Sequence, residues 1–143
     1  MPPREIDFAK LTVLVVEDQE YIRKLIVQLL KKLGCASVIE AGDGEEGLQV
    51  LHRSTPDVVL CDIKMEPVDG LTLLTKVRAG EGVRNAQTPI IFLTSDSERE
   101  TVVQAIQAEV DGYMVKPVSP SDLKSKITAV LSKRLSAASM PWK

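Results

Sequence analysis

Five short apolar runs recur along the chain, and each is separated from the next by a longer segment with helical periodicity. The runs cover residues 11–16, 37–41, 57–62, 89–93 and 112–115. They largely lack the polar alternation of a half-exposed strand, which predicts strands buried on both faces. The longer segments cover residues 21–33, 45–51, 71–77, 98–108 and 121–135. In the first, apolar residues fall at 22, 25, 26, 29, 30 and 33, and in the last at 123, 127, 130, 131 and 135, one face of a helix in each case. Gly34 stands where the first helix should stop. Regular alternation of strand and helix predicts right-handed crossovers, hence a doubly wound α/β fold with a five-stranded parallel sheet between helices. On this reading residues 1–10 are an N-terminal extension, 11–135 one domain and 136–143 a C-terminal tail.

In an open parallel sheet, ligands bind beyond the carboxyl ends of the strands. The residues at those ends are therefore the informative ones. The first run ends in Glu17 and Asp18, the third in Asp62, the fourth in Thr94 and Ser95, and the fifth in Lys116 and Pro117. Three carboxylates, a hydroxyl and an ammonium are expected at one edge. Clustered carboxylates repel one another unless a cation joins them, and a hard ion such as Mg²⁺ takes oxygen ligands while keeping several waters. Asp62 then has a role as a nucleophile toward a phosphoryl group, a transfer that depends on positioning and charge neutralisation. Lys116 and Mg²⁺ would neutralise phosphoryl oxygens, and Thr94 would donate to one. Taken singly, an acidic pair or a strand-terminal Asp is more often a helix cap. Four strand ends carrying such groups together are hard to explain by capping.

Length and charge narrow the classes further. A chain of 143 residues fits one domain able to bury about 68% of its unfolded surface, without disulfides or a structural metal. A net charge of −2 argues against direct nucleic-acid binding. No run of about 18 apolar residues is available to span a membrane. The N-terminal residues lack the order of a secretion signal, so a cytoplasmic location is expected. Cys35 and Cys61 have no metal-ligand spacing; Cys61, in an apolar run, reads as a buried hydrophobe. The single histidine, His52, reads as a solvated helix-end residue with no acid–base partner.

The stretches Val13 to Asp18, Ala41 to Leu48, Asp62 to Gly70, Ile91 to Ser95 and Gly112 to Pro117 resemble, in order, the motifs of bacterial response regulator receiver domains. The resemblance covers roughly residues 11–135 and includes chemotaxis-type stand-alone receivers. It implies a flavodoxin-like strand order 2-1-3-4-5. It also implies Mg²⁺ held by Asp18 and Asp62 directly, by Glu17 through water and by the Lys64 backbone carbonyl. It further implies phosphoryl transfer from a sensor histidine kinase or histidine phosphotransfer protein to Asp62, with Thr94 and Lys116 reading the phosphate. Tyr113 occupies the switch-aromatic position, whose rotamer follows Thr94. Partners are then expected on the face made by the fourth helix, fifth strand and fifth helix, at residues such as Val103, Gln107, Tyr113 and Lys124. Such a domain is a regulatory phosphoacceptor rather than an enzyme acting on a separate substrate. A phosphorelay intermediate, or a receiver belonging to a larger regulator or hybrid kinase, is the alternative.

The sequence departs from the family pattern in places. Glu66 precedes Pro67 where the family often has Pro directly after Met, and Glu109 stands where a Gly commonly ends the fourth helix. The 78–89 loop is slightly long. Lys64 and Asp96 border the expected path of hydrolytic water and are read as a gate on phosphoryl lifetime. Two rivals fail on the residues. The Gly42-x-Gly44-x-x-Gly47 pattern matches a dinucleotide fingerprint, but it follows the second strand, and Asp43, Glu45 and Glu46 oppose a pyrophosphate. An aspartate-nucleophile phosphohydrolase would place an acid two residues after Asp62, where Lys64 stands.

Overall fold

The computed structural model describes residues 6–95 and 99–138. Strands β1 (Thr12–Val16), β2 (Ser37–Ala41), β3 (Val58–Asp62), β4 (Ile90–Thr94) and β5 (Gly112–Val115) alternate with helices α1 (Glu20–Lys32), α2 (Gly44–Arg53), α3 (Gly70–Arg78), α4 (Arg99–Gln107) and α5 (Pro120–Ala138). All neighbouring strands pair in parallel, in the order β2-β1-β3-β4-β5. The expected doubly wound α/β fold, with its flavodoxin-like strand order, is the one formed. Strand ends shift by one residue at most from the sequence reading, whereas α5 runs three residues further, to Ala138.

Period-two side-chain alternation splits the core into two layers. Val13, Val15, Val58, Leu60, Ile91 and Leu93 point toward α1 and α5, where Leu30, Leu123 and Ile127 are fully covered. Leu14, Val16, Val59, Cys61, Ile90 and Phe92 point the other way, onto Leu51 of α2 and Leu73 and Leu74 of α3. Each such side chain contributes about 1.5–3 kcal/mol of burial free energy. The central strands β3 and β4 are buried along their whole length, as a two-faced sheet requires. Ahead of β1, a short 3-10 turn at Phe8–Lys10 tucks Phe8 into the first layer.

Local chemistry sets the helix ends. Gly34, at φ 92, closes α1: its N–H reaches the Lys31 carbonyl and that of Cys35 reaches Leu30, the paired bonds of a Schellman ending. The same pair of bonds closes α4 around Glu109, Glu109 N–H to Ile106 and Val110 N–H to Ala105. Glu109 therefore adopts φ 69, the left-handed conformation that a glycine would adopt more easily. Asp43 and Asp69 cap α2 and α3 by accepting from Glu46 and Thr72 backbone N–H groups. Glu46 in turn accepts from the Gly42 N–H at 2.8 Å, so acidic side chains cover the start of α2 and leave nothing there for a pyrophosphate.

At the edge of the sheet opposite the strand carboxyl ends, Asp111 joins β4, α3 and α5. It accepts from Arg78 and Arg134 at 2.6 Å each and from the Ile90 N–H at 2.7 Å. Arg78 also donates to the carbonyls of Ala86, Thr88 and Glu109. That single guanidinium closes the long loop between α3 and β4.

Candidate functional site

The carboxyl ends of β1, β3, β4 and β5 converge as the sequence predicts. Glu17 follows β1 directly, and its carboxyl is completely buried. Asp62 is the last residue of β3 and is 8% exposed. Asp18, next to Glu17, is open to solvent. Glu17, Asp18 and Asp62 each offer an oxygen within 4.8 Å of the other two. Lys116, just past β5, places its ammonium 2.8 Å from Glu17 Oε1 and 3.2 Å from Asp62 Oδ1. Its backbone N–H donates to the Thr94 carbonyl at 2.8 Å, tying the ends of β4 and β5 together. Thr94 is buried beside them, 2% exposed, with its hydroxyl donating to the Ser95 carbonyl.

Among the described residues, the Lys116 ammonium lies within 3.2 Å of two of these carboxylates. Burial, followed by the hydrogen bond to Asp62, lifts the Glu17 carboxyl above its ordinary value, against the pull of Lys116. Burial and then the hydrogen bond and charge of Glu17 lift Asp18 likewise. Burial alone would lower the Lys116 ammonium, but the Glu17 hydrogen bond and the charges of Asp62 and Glu17 outweigh it and raise its pKa. A divalent cation beside them would favour their ionised forms. The oxygen-only donor set suits a hard ion. Three carboxylate oxygens within 4.8 Å of one another fit a hard divalent ion that keeps several waters.

A protein-family model described as the response regulator receiver domain matches residues 13–128. The chain belongs to the response regulator receiver domain family. The receiver is 35% identical over 121 residues to a chemotaxis protein CheY of Pseudomonas aeruginosa, covering 85% of this chain and 96% of that one. It is 36% identical to a probable transcriptional regulator of Guillardia theta, of which it spans 47% while 88% of this chain is covered. Among solved structures, a receiver domain protein from Clostridium thermocellum superposes with a TM-score of 0.80 at 25% identity, covering 89% of this chain and 98% of that one. The receiver domain of a Pseudomonas aeruginosa sensor histidine kinase, described with a magnesium ion coordinated in its active site cleft, superposes with a TM-score of 0.75 at 25% identity. That comparison covers 85% of this receiver and 98% of that receiver domain.

The receiver fold brings Glu17, Asp18, Asp62, Thr94 and Lys116 to one edge. Lys64 lies exposed, two residues past Asp62. Tyr113 sits on β5 with 42% of its surface exposed. Asp96, the other half of the expected gate, lies outside the described residues. Cys61 is fully buried, as expected of a small hydrophobe. His52 is exposed at the end of α2, as expected, and its Nδ1 lies 2.9 Å from the Gly82 carbonyl. A backbone carbonyl gives it no acid–base role. Gly82 adopts φ 66, and this turn of the long loop brings its carbonyl to the helix end. Among the described residues, no helix is long and apolar enough to cross a membrane.

Proposed function

We propose that this receiver is a phosphorylatable cytoplasmic switch. It takes a phosphoryl group from the phosphohistidine of a sensor histidine kinase or histidine phosphotransfer protein onto Asp62 with Mg²⁺, and changes the face offered to a downstream protein. The observation that carries this reading is the Lys116 ammonium held between Glu17 and Asp62, 3.2 Å from the proposed nucleophile. An Asp62 carboxylate oxygen forms a P–O bond as the P–N bond to imidazole breaks, and the imidazole leaves with the electron pair. Bound to Glu17, Asp18, Asp62 and the Lys64 carbonyl, Mg²⁺ would supply charge neutralisation at the phosphoryl oxygens. Lys116 offers a second positive charge, and the Thr94 hydroxyl exchanges its Ser95 carbonyl for a phosphoryl oxygen. Asp62 is largely removed from water, which strengthens these interactions.

The output face fits the same reading. Val103, Ile106, Tyr113 and Val115 are exposed apolar or aromatic residues of α4 and β5, and Gln107 and Lys124 are exposed on α4 and α5. Beside Tyr113 lies a cleft of about 490 Å³ bordered by Asp122, Ser125 and Lys126. An inward turn of Tyr113 as Thr94 engages phosphate would remodel this face. Beryllofluoride with Mg²⁺, followed by amide chemical shifts, tests it. Shifts should spread from Asp62 and Thr94 to Tyr113, Gln107 and Lys124; shifts confined to α1 and α2 contradict it. Under the same reading Lys64, with Asp96, restrains hydrolytic water, and a phosphoryl lifetime unchanged in Lys64→Ala would remove that role. Membership of a larger regulator, as in the part-length match to the transcriptional regulator, would leave the chemistry at Asp62 the same.

A further inference from the structure

Arg23 is a side chain that neither the family motifs nor the phosphoryl chemistry uses, yet it touches the acidic loop. It lies in the second turn of α1, with its backbone N–H donating to the Gln19 carbonyl. Its guanidinium Nη1 donates to the Glu17 backbone carbonyl at 2.8 Å, and its Nε donates to Glu40 Oε1 on β2 at 3.1 Å. Lys24 holds the other oxygen of Glu40, also at 3.1 Å. Arg23 is thus aimed by β2 and grips the peptide that links Glu17 to Asp18. The Glu17 N–H is fixed from the same side, donating to the Ala41 carbonyl at the end of β2 at 3.1 Å. Both backbone groups of Glu17 are tied down where the chain leaves β1, so the directions in which the Glu17 and Asp18 carboxyls leave it are set there.

We infer that Arg23 is a positioning residue for the cation site, holding the Glu17–Asp18 peptide so that both carboxylates face the same ion as Asp62. The inference rests on the Mg²⁺ reading above. It makes a prediction of opposite sign to simple electrostatics. A guanidinium bound to the Glu17 carbonyl adds positive charge close to a divalent cation, so if charge alone mattered, removing it would tighten Mg²⁺ binding. If positioning dominates, removing it weakens binding, and loss of such supporting partners typically costs 10–100-fold in metal affinity.

The test is Mg²⁺ titration of the folded protein by calorimetry, with unfolding of the chelator-treated protein measured separately. Arg23→Met, uncharged and of similar length, should weaken Mg²⁺ binding on the order of 10-fold. Lys24→Gln, which removes the neighbouring charge but leaves the Glu17 contact, should bind Mg²⁺ like wild type. A purely structural role would lower apo stability and leave the affinity of the folded protein unchanged. Unchanged or tighter binding by Arg23→Met overturns the inference, as does equal weakening by Lys24→Gln. If Arg23→Met does not fold, Arg23→Lys decides: it keeps the charge but cannot make both bonds, so weaker binding supports positioning and wild-type affinity overturns it. Failure of the wild-type protein to bind Mg²⁺ would instead strike the cation-site reading on which the inference depends.

Discussion

Gly70 is the residue at which the smallest change should do most to Asp62, the proposed phosphoacceptor. It opens α3, and its N–H donates to the Ile63 carbonyl at 2.7 Å, closing the loop that leaves β3. A Cβ on Gly70 would stand 2.5 Å from the Asp62 carbonyl oxygen, 2.9 Å from Ile63 Cα and 3.2 Å from Phe92 Cε1. Ordinary contact begins at 3.4 Å, so in Gly70→Ala the Asp62–Ile63 peptide or the start of α3 must move by about 0.9 Å, the difference between 3.4 and 2.5. Overpacking of this kind costs about 1–3 kcal/mol, and replacing glycine by alanine in a helix returns up to about 1 kcal/mol. The net loss of about 0–3 kcal/mol leaves a domain of ordinary stability, about 5–15 kcal/mol, folded. Its effect on chemistry should be larger, since a misplacement of about 1 Å can slow a reaction about 100-fold. The assay is the initial rate of aspartyl phosphate formation from acetyl phosphate with saturating Mg²⁺, alongside urea unfolding. Thr72→Ala, two residues further along the same helix at an exposed position, is the control and should react within about two-fold of wild type. A Gly70→Ala rate within about three-fold of wild type would refute the argument that this contact holds Asp62 in place.

Other perturbations follow from particular contacts. Asp111→Ala removes the anion from two guanidiniums and the acceptor from the Ile90 N–H. Breaking a buried pair in this way costs about 3–5 kcal/mol, and for a domain this size the melting temperature should fall on the order of 10 °C; a shift of a degree or two would show the hub to be dispensable. Glu109→Gly relieves a left-handed residue worth about 1–2 kcal/mol, offset by about 0.4–1 kcal/mol of added freedom in the unfolded chain. Chemical denaturation should therefore find it about 0.5 kcal/mol more stable, and a clear destabilisation would contradict this. The Mg²⁺-induced rise in melting temperature should depend on pH. Glu17 and Asp18 must be ionised to bind, and both carboxyls lie above their ordinary values of 4.5 and 3.8. The raised values mean that without metal the folded state holds protons more tightly than the unfolded one. These two groups therefore erode stability as pH rises through their folded values, and Mg²⁺ restores it there. The stabilisation by Mg²⁺ should be full near neutral pH and fade as pH falls through those raised values; a Mg²⁺ shift that stays constant into the acid range would count against the site.

The fold was legible because burial and period coincide. Residues 58–62 and 90–94 are buried at every position, so their apolar runs read as central strands, and α1 shows its apolar face at helical spacing. Asp62, Glu17, Thr94 and Lys116 were legible because a parallel sheet assembles its strand ends whatever lies between them. The Glu109 strain was visible as a departure from a glycine, and the structure gives the reason in the two bonds that close α4. Arg23 was not legible: its partners are a backbone carbonyl six residues earlier and Glu40 on another strand, and no spacing announces a contact to a carbonyl. Arg78, Asp111 and Arg134 were hidden for the same reason, since their meeting depends on where α3, β5 and α5 pack rather than on a motif. For His52 the exposed helix-end position was legible, and the carbonyl contact was not. It depends on the turn at Gly82, 30 residues further along the chain.

The central claim is that Asp62 accepts the phosphoryl group. The most direct measurement is intact-mass spectrometry of wild type and Asp62→Asn after exposure to acetyl phosphate, with Mg²⁺ and with chelator. The account predicts one phosphoryl group on wild type, formed only with Mg²⁺, labile to alkali as an acyl phosphate is, and absent from Asp62→Asn, whose amide is a poor nucleophile. An alkali-labile phosphoryl group on Asp62→Asn, or none on folded wild type with Mg²⁺, would contradict it.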